Sequence, residues 1–284
     1  MRKAPRSSAE SKVSAGKSDA LTKDERHEVE ARKSPPAKVV HEVIRLQGVE
    51  ELERPLASLI WSGIAGGVSI WMSLIAQSAL MMKLPDTPWR PAIAALGYSV
   101  GFLVVILGKL QLFTESTVTA VLPTATEPTA RNLGLTLRLW ATVFLANSIG
   151  TLLVAAIIPF AGLVSPEQVA AMVDISRHLE AHGALDAFTL GIPAGFILAT
   201  IAWVLPNARG QEFWIIILMT SLIALCGFSH VIAGSAEAWL LMTTGERGLG
   251  FVIFTFTLPT LAGNIVGGTG LFAVLAHAQV SKEL

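Results

Sequence analysis

The sequence contains a single cysteine, Cys226, and few charged residues: Asp, Glu, Lys and Arg make up 15% of its 284 residues. One cysteine excludes an internal disulfide framework and a metal site built from several thiolates. Basic and acidic residues balance to a formal net charge of zero, which argues against nucleic acid as a partner. The sequence has no phosphate-binding glycine loop, metal-ligand cluster or nucleotide-binding motif, so we predict no cofactor.

Hydrophobic residues are abundant instead. They form 52% of the chain, and its mean hydropathy of +0.59 lies well above that of soluble globular domains. The charge is concentrated at one end, because 12 of the 21 Lys and Arg residues and ten of the 21 Asp and Glu residues lie within the first 54 positions. The composition therefore predicts an all-α membrane protein with a polar N-terminal segment.

The chain divides into four expected parts. Residues 1–36 are polar, of mixed charge and poor in aromatic residues, and are expected to form a disordered cytoplasmic tail. Residues 37–54 carry apolar residues at helical spacing, which favours an amphipathic helix at the membrane surface, with a plain linker as the alternative. Residues 55–280 form the expected membrane domain, and 281–284 form the C-terminal end.

The membrane domain contains six apolar stretches, separated by segments rich in Pro, Gly, Asp and Glu. A helix needs about 20 apolar residues to cross the hydrocarbon core, and each stretch approaches or exceeds that length. An even number of spans puts both termini on one side, and the basic residues of the tail favour the cytoplasm. The stretches are Pro55–Met82, Pro91–Leu122, Leu133–Val164, Ala187–Leu205, Phe213–Thr243 and Gly248–His277.

The two halves of the membrane domain resemble each other. The first span contains SGIAGGVSIWMSL (Ser62–Leu74) and the fourth contains LGIPAGFILATIAW (Leu190–Trp203), while Asn147 and Asn264 occupy matching places in the third and sixth. Because each half holds three spans, the halves must insert in opposite directions. This pattern predicts a 3+3 inverted repeat, a plan in which transporters bind substrate near the midplane between broken helices.

Polar residues interrupt the second and fifth spans, in VILGKLQLFTESTVTAVLP and CGFSHVIAGSAEAW. Irregular backbone at membrane depth is tolerated only where it lines a cavity or is buried in protein, so these two spans are expected to be broken. The ends of broken helices favour an anion or a polar acceptor. Ser and Thr alone are also ordinary helix-packing residues, but Glu115 and His230 are ionisable, and such groups at depth are usually functional.

These motifs resemble those of the formate/nitrite transporter family. The family has a Leu-Phe-Thr loop in the second span, a Gly-Phe-x-His loop in the fifth and a Gly-Asn-x-x-Gly-Gly sequence in the sixth. The resemblance spans about residues 40–280, with its three motifs in the family order. In this chain they are Leu112-Phe113-Thr114, Gly227-Phe228-Ser229-His230 and Gly263-Asn264-Ile265-Val266-Gly267-Gly268.

The resemblance implies an aquaporin-like protomer within a homopentamer, with one pore in each protomer. It implies transport of small monovalent anions such as formate or nitrite, or of their acids, sometimes together with a proton. It also implies a multi-pass protein of the bacterial inner membrane, in contact with membrane lipid, and no enzymatic activity.

The resemblance also assigns roles to individual residues. Leu112 and Phe113 would form one hydrophobic constriction, and Phe228 would contribute to the other. The substrate pathway would include Thr114, His230, Glu115, Asn147 and Asn264. A hydrophobic slit blocks hydrated ions, while a hydroxyl and an imidazole supply hydrogen bonds to a small acid. Whether the imidazole exchanges a proton or only donates a hydrogen bond stays open at this stage.

Several positions depart from the family pattern and indicate a divergent branch. Gln111 replaces a common acidic residue, while Gly195 and Gly234 replace common asparagines. No lysine lies between positions 109 and 282, where many members carry one before the fourth span. Glu115 and Glu237 are additional carboxylates that would either repel anions in the pathway or serve structurally, as helix caps or ion-pair partners.

Three other functions compete with anion transport. The carboxylates are compatible with a channel for neutral or cationic solutes such as ammonium or water. Ser229, Ser235 and His230 suggest a membrane-embedded serine hydrolase, but all three lie in one short stretch and lack a third partner. A non-conducting sensor or scaffold is the remaining alternative.

Overall fold

The computed structural model describes residues 21–32 and 35–283, and the regular structure within these ranges is helical. Two 3₁₀ turns, Arg177–Ala181 and Leu205–Asn207, and two π-helical segments, Phe251–Thr257 and Val266–Ala273, extend the α-helices. The α-helices are α1 Lys23–Arg32, α2 Ala37–Glu53, α3 Leu56–Lys83, α4 Arg90–Leu107, α5 Phe113–Thr119, α6 Val121–Thr126, α7 Ala130–Ile157, α8 Pro166–Ser176, α9 Ala184–Val204, α10 Glu212–Leu225, α11 Val231–Thr243, α12 Leu258–Ile265 and α13 Val274–Val280.

The chain forms two units, Met1–Pro35 and Pro36–Leu284. Most of the tail expected to be disordered, residues 1–20 and 33–34, lies outside the described residues. Its described part contains α1, which begins with a capping box. The Thr22 backbone N–H donates to the Glu25 carboxylate over 2.7 Å, and the Glu25 N–H donates to the Thr22 hydroxyl over 3.3 Å. These reciprocal bonds stabilise a helical start in this polar sequence.

Five described helical stretches are long and apolar enough to cross a membrane. Of the six expected spans, Phe213–Thr243 is divided into two shorter apolar helices, α10 and α11, of 14 and 13 residues. The second expected stretch, Pro91–Leu122, is also interrupted, because α4 ends at Leu107 and α5 begins at Phe113. The five stretches are Leu56–Lys83, Arg90–Leu107, Ala130–Ile157, Ala184–Asn207 and Phe251–Val280.

The helices of the second unit approach closely where glycines face a neighbouring backbone. Helix α3 packs against α4 and α7, and α9 packs against α12. A Cβ atom at Gly67 of α3 would overlap the carbonyl oxygen of Asn147, and one at Gly195 of α9 would overlap that of Asn264. Small residues at such contacts are typical of membrane helices. Gly195 is therefore required by packing, and a larger side chain in its place would push α9 away from α12.

Helix α2 is amphipathic and packs with its apolar face on the other helices of the second unit. Its buried residues recur at helical spacing, and the helix contacts α6 and α13. His41 of α2 is fully buried, and its Nε2 atom lies 3.1 Å from Nδ1 of His277 on α13. Burial lowers the pKa of the His41 imidazole below its ordinary value, and the adjacent His277 lowers it further. Burial therefore favours the neutral form of His41 in this contact.

The His41 contact predicts that acid loosens the second unit. The lowered pKa makes the stabilisation complete above about pH 6.5, and it is lost progressively as the pH falls from there toward the folded-state value. We expect the thermal midpoint in detergent to fall between pH 7.5 and 5.0, by ~2–4 °C for each kcal/mol lost. His41→Gln should reduce that fall, whereas the exposed control His27→Gln should not. Equal pH dependence in both variants would contradict the assignment.

Candidate functional site

Two non-helical segments, Gly108–Leu112 and Cys226–His230, lie between helices in the second unit. Each contains one residue with a left-handed backbone: Lys109 has φ 54° and Gly227 has φ 66°. An α-helix of L-residues excludes this conformation, so each segment ends the preceding helix. The conformation costs glycine little but costs a lysine about 1–2 kcal/mol, so the surrounding structure must hold Lys109 in place.

Asn147 of α7 fixes the first segment to the helix that follows it. The Phe113 backbone N–H, the first of α5, donates to Asn147 Oδ1 over 2.9 Å. Asn147 Nδ2 in turn donates to the carbonyl oxygens of Gln111, over 2.9 Å, and of Gly63 on α3, over 2.7 Å. The buried amide therefore satisfies the first N–H of α5 and a carbonyl of the irregular segment, and it ties both to the interior of α3.

Asn264 of α12 makes the same set of contacts with the second segment. The Val231 N–H, the first of α11, donates to Asn264 Oδ1 over 2.9 Å. Asn264 Nδ2 donates to the carbonyl oxygens of Ser229, over 2.9 Å, and of Gly191 on α9, over 2.8 Å. Each asparagine thus connects a long helix, an irregular segment and the first turn of a short helix.

The first turns of α5 and α11 each retain one backbone donor without a partner. In α11, the N–H groups of Val231, Ala233 and Gly234 are bonded, and that of Ile232 has no partner among the described residues. In α5, the N–H of Thr114 likewise has no partner among the described residues. Such groups at a helix N-terminus favour an anion or a polar acceptor.

Thr114 and His230 meet between these two helix ends. Thr114 Oγ1 lies 2.7 Å from His230 Nε2, and both side chains are buried. Ala233 N–H donates to His230 Nδ1 over 3.1 Å, so Nδ1 is the acceptor and Nε2 carries the hydrogen of the neutral ring. Nε2 therefore donates to the Thr114 hydroxyl oxygen. The hydroxyl hydrogen forms no hydrogen bond within the described part of the chain and can donate to a ligand.

Aromatic side chains surround the imidazole. The Phe102 ring of α4 is fully buried and meets the His230 ring edge-to-face, with centroids 5.0 Å apart. Tyr98, one turn earlier on α4, packs against Phe102. An edge-to-face contact fixes ring orientation and excludes water from the imidazole. Nothing in the sequence indicated that Phe102 of the second span would contact the histidine of the fifth.

A cavity of about 470 Å³, termed the Glu237 cavity, reaches His230 from one side. Glu237 of α11 is 5% exposed, and its Oε2 atom lies 3.4 Å from His178 Nδ1. Phe228, predicted as a constriction residue, lines this cavity and is half-buried. Other polar lining residues are Gln77, Tyr98, His182 and Ser229.

A second cavity of about 470 Å³, termed the Glu115 cavity, lies at the other segment. It is lined by the half-buried Glu115 and by Leu112, another predicted constriction residue. Phe113 lines neither cavity and instead packs against Trp140 and Phe144 of α7, with ring centroids 6.1 and 5.5 Å away. The further polar lining residues are Gln47, Glu50, Glu51, Arg54, Lys109, Gln111, Ser116 and Thr119.

Glu51 is a cavity residue that the sequence interpretation missed. It belongs to α2, and its carboxylate accepts a hydrogen bond from the Thr119 hydroxyl over 2.6 Å. Burial raises the pKa of the Glu51 carboxyl above its ordinary value. Helical periodicity predicted α2 but not which acidic side chain would face the membrane domain. The described residues contain no group of three His, Cys, Asp or Glu side chains that could hold a metal ion.

The fold and this buried polar site define a helical, multi-pass membrane protein with a cavity at each of its two irregular segments. The formate/nitrite transporter family model matches residues 38–278. The chain therefore belongs to the formate/nitrite transporter family, whose members are channels or transporters and not enzymes.

Individual relatives agree with this assignment. The inner membrane protein YfdC of Escherichia coli strain K12 is 40% identical over 248 residues, covering 87% of this chain and 80% of that protein. The formate channel FocA of Haemophilus influenzae is 25% identical over 242 residues, covering 76% and 84%. With family membership established, a serine hydrolase built on Ser229, Ser235 and His230 is not favoured.

Solved structures show the same fold. A pentameric formate channel with formate bound superposes with a TM-score of 0.67 at 20% identity, covering 80% of this chain and 98% of that one. An ion channel of the same family gives a TM-score of 0.69 at 18% identity, covering 86% and 96%. The helical arrangement is therefore that of the family's channels.

The contacts of Asn264 predict a large effect of its removal on stability. Asn264→Ala leaves the Val231 N–H and the carbonyl oxygens of Ser229 and Gly191 buried without this partner. The Gly191 carbonyl lies within α9, where the helical hydrogen bond remains, so two groups are orphaned. Each costs about 1–3 kcal/mol, and the loss should exceed ~2 kcal/mol. Titration with a denaturing detergent would measure it. The exposed control Asn207→Ala should change stability by less than ~0.5 kcal/mol, and a similar small change in Asn264→Ala would contradict the role.

Proposed function

We propose that this protein is a channel or transporter for small monovalent anions such as formate or nitrite, or for their acids. The proposed pathway connects the Glu237 cavity to the Glu115 cavity through Thr114 and His230. The observation that carries this proposal is the hydrogen-bond arrangement at the centre. His230 Nε2 donates to Thr114 Oγ1, which leaves the hydroxyl hydrogen free for a substrate oxygen.

Two backbone donors support the same substrate class. The free N–H groups of Thr114 and Ile232 belong to the first turns of α5 and α11, where the helix dipole is positive. An anion with two oxygens can accept from such donors, whereas a cation such as ammonium has no lone pair to offer them. The central site therefore favours an oxygen acceptor, even though carboxylates line both cavities.

The proposed pathway follows a 3+3 inverted repeat in which the second and fifth spans are broken, as in an aquaporin-like protomer. The equivalent contacts of Asn147 and Asn264 support this arrangement, because each connects the same three backbone positions of its half. The left-handed residues Lys109 and Gly227 stand at matching places, four residues before the first residue of the next helix.

Hydrophobic constrictions separate the centre from the cavities in this proposal. Leu112 would close the path toward the Glu115 cavity, next to Phe113, whose ring packs on α7, and Phe228 would close it toward the Glu237 cavity. The burial of Leu112 and the place of Phe228 in the lining of the Glu237 cavity support these roles. Apolar constrictions block hydrated ions and continuous water, so only a substrate that sheds its hydration shell can pass.

The remaining parts of the proposal concern assembly and location. We infer a bacterial inner-membrane protein with residues 55–280 as its membrane domain and both termini in the cytoplasm. The excess of Lys and Arg near the N-terminus supports this orientation. Helix α2 would lie at the cytoplasmic membrane surface. The homopentamer is proposed by analogy with the pentameric formate channel that shares the fold.

Substrate flux through the central pair is the direct test of the function. Liposomes containing the purified protein should take up formate or nitrite faster than empty liposomes. His230→Asn should reduce uptake at least tenfold while preserving stability, because asparagine can still cap α11 but cannot reach Thr114. The control His27→Asn should transport normally. Uptake of ammonium in place of the anions, or normal uptake by His230→Asn, would contradict the proposal.

The constriction role of Phe228 predicts a change in selectivity. Phe228→Ala should widen the slit and allow larger monocarboxylates to pass, with uptake relative to formate rising several-fold. The side chain is half-buried, so the variant should fold. Competition between formate and a series of longer monocarboxylates would measure the effect, and the exposed control Phe160→Ala should retain the wild-type series. An unchanged series in Phe228→Ala would remove Phe228 from the constriction.

A further inference from the structure

The Thr114–His230 pair does not account for Glu237, a buried carboxylate elsewhere in the same cavity lining. It follows His230 by seven residues along α11, so the two lie on the same helix face, about 10 Å apart along the axis. Glu237 is 5% exposed and lines the cavity that also reaches His230. Its Oε2 atom has no hydrogen-bond partner among the described residues. A buried carboxylate oxygen without a donor disfavours the charged form of the side chain, so this carboxyl is suited to hold a proton.

The surroundings of Glu237 provide no fixed positive charge. No Lys or Arg lines the cavity, and Arg177 and Arg247 at the same end of the molecule are paired with Glu246 and Glu180. His178 Nδ1 is 3.4 Å from Glu237 Oε2 but lies closer, 2.9 Å, to the Ile175 carbonyl oxygen. The titratable groups that share the cavity lining with Glu237 are Tyr98 of α4, His178 and His182 of the segment after α8, and His230, which caps α11.

His230 is poorly placed to exchange a proton. Its Nδ1 accepts the Ala233 N–H that caps α11, and its Nε2 donates to Thr114. Adding a proton to Nδ1 would place two hydrogens against each other and remove the cap. Losing the Nε2 hydrogen would produce an imidazolate in a buried site. The geometry therefore keeps His230 neutral, as a fixed donor that orients the Thr114 hydroxyl.

We propose that Glu237 is the group that exchanges a proton with the transported acid, at a binding site for small weak acids within the Glu237 cavity. This inference rests on the proposed function. It adds that the substrate passes the central pair as a neutral acid. For an incoming anion, the O–H bond of the Glu237 carboxyl breaks and a new O–H bond forms on a substrate oxygen. The neutral acid moves on, and a solvent proton restores the Glu237 carboxyl. In the outward direction the same steps run in reverse.

The chemistry of carboxyl groups suits this role. In water a substrate carboxylic acid and a glutamate side chain have similar pKa values, about 4, whereas the pKa of an imidazole is about 6.5. Transfer of a proton between groups of similar pKa changes the free energy little, because each unit of difference corresponds to about 1.4 kcal/mol. Neutralisation also removes the cost of moving a charge through the apolar constriction at Phe228. The partly exposed His178 beside Glu237 provides a connection to solvent for the returning proton.

Proton-coupled formate uptake in liposomes tests this inference, with a pH-sensitive dye inside to count protons. The wild type should move about one proton with each formate, and uptake should be insensitive to membrane potential. Glu237→Gln should lower the proton-to-formate ratio at least fivefold and make uptake sensitive to potential. Glu237→Asp should restore most of the coupling. The control Glu283→Gln removes an exposed carboxylate at the C-terminus and should match the wild type.

The outcomes separate this inference from the proposed function. A wild type that moves neither formate nor nitrite overturns the proposed function and, with it, the inference. A wild type that moves formate without protons, or a Glu237→Gln variant with wild-type coupling and pH profile, overturns the inference alone. Infrared difference spectra provide a readout without flux. Adding formate to the wild type should change a carboxyl C=O band that Glu237→Gln lacks, and a wild type without such a change would refute the role.

Discussion

Two buried amide side chains, Asn147 and Asn264, hold the non-helical backbone on which the central site depends. A chain that leaves the helical conformation inside an apolar domain exposes backbone donors and acceptors that cannot bond to lipid. Each asparagine satisfies one donor and two acceptors at once, and each ties them to a long neighbouring helix. Because one side chain serves three backbone groups, its loss cannot be compensated by small shifts of any single neighbour.

The same constraint determines which groups remain for a ligand. The asparagines and the His230 ring accept hydrogen bonds from other N–H groups in the two first turns. The N–H groups of Thr114 and Ile232 have no partner among the described residues. The cap on α11 fixes the tautomer of His230, and the tautomer fixes the direction of the Thr114 hydroxyl. The donors of the site therefore follow from the way the two short helices begin, and function and local folding share the same hydrogen bonds.

The sequence predicted much of this arrangement because membrane-length apolar runs, glycine clusters and interrupting polar residues are local signals. Polar residues within the second and fifth apolar runs predicted interruptions there, and similar motifs set Asn147 and Asn264 at matching places in the two halves. Contacts between distant segments could not, so Glu51 of α2 at one cavity and Phe102 against His230 were missed. The direction of Phe113, toward α7 and away from both cavities, depends on aromatic packing that spacing does not encode.

The two cavities differ in how their carboxylates are balanced. In the Glu115 cavity, Lys109 and Arg54 stand among three glutamates, so an anion there meets charges of both signs. In the Glu237 cavity no basic side chain other than histidine is present, so a permanent negative charge on Glu237 would repel the anion at close range. Under the proposed function, this carboxyl must be protonated during part of each transport cycle. In that proposal, neutralisation of the substrate is most important at the Glu237 cavity, where no Lys or Arg balances the carboxylate.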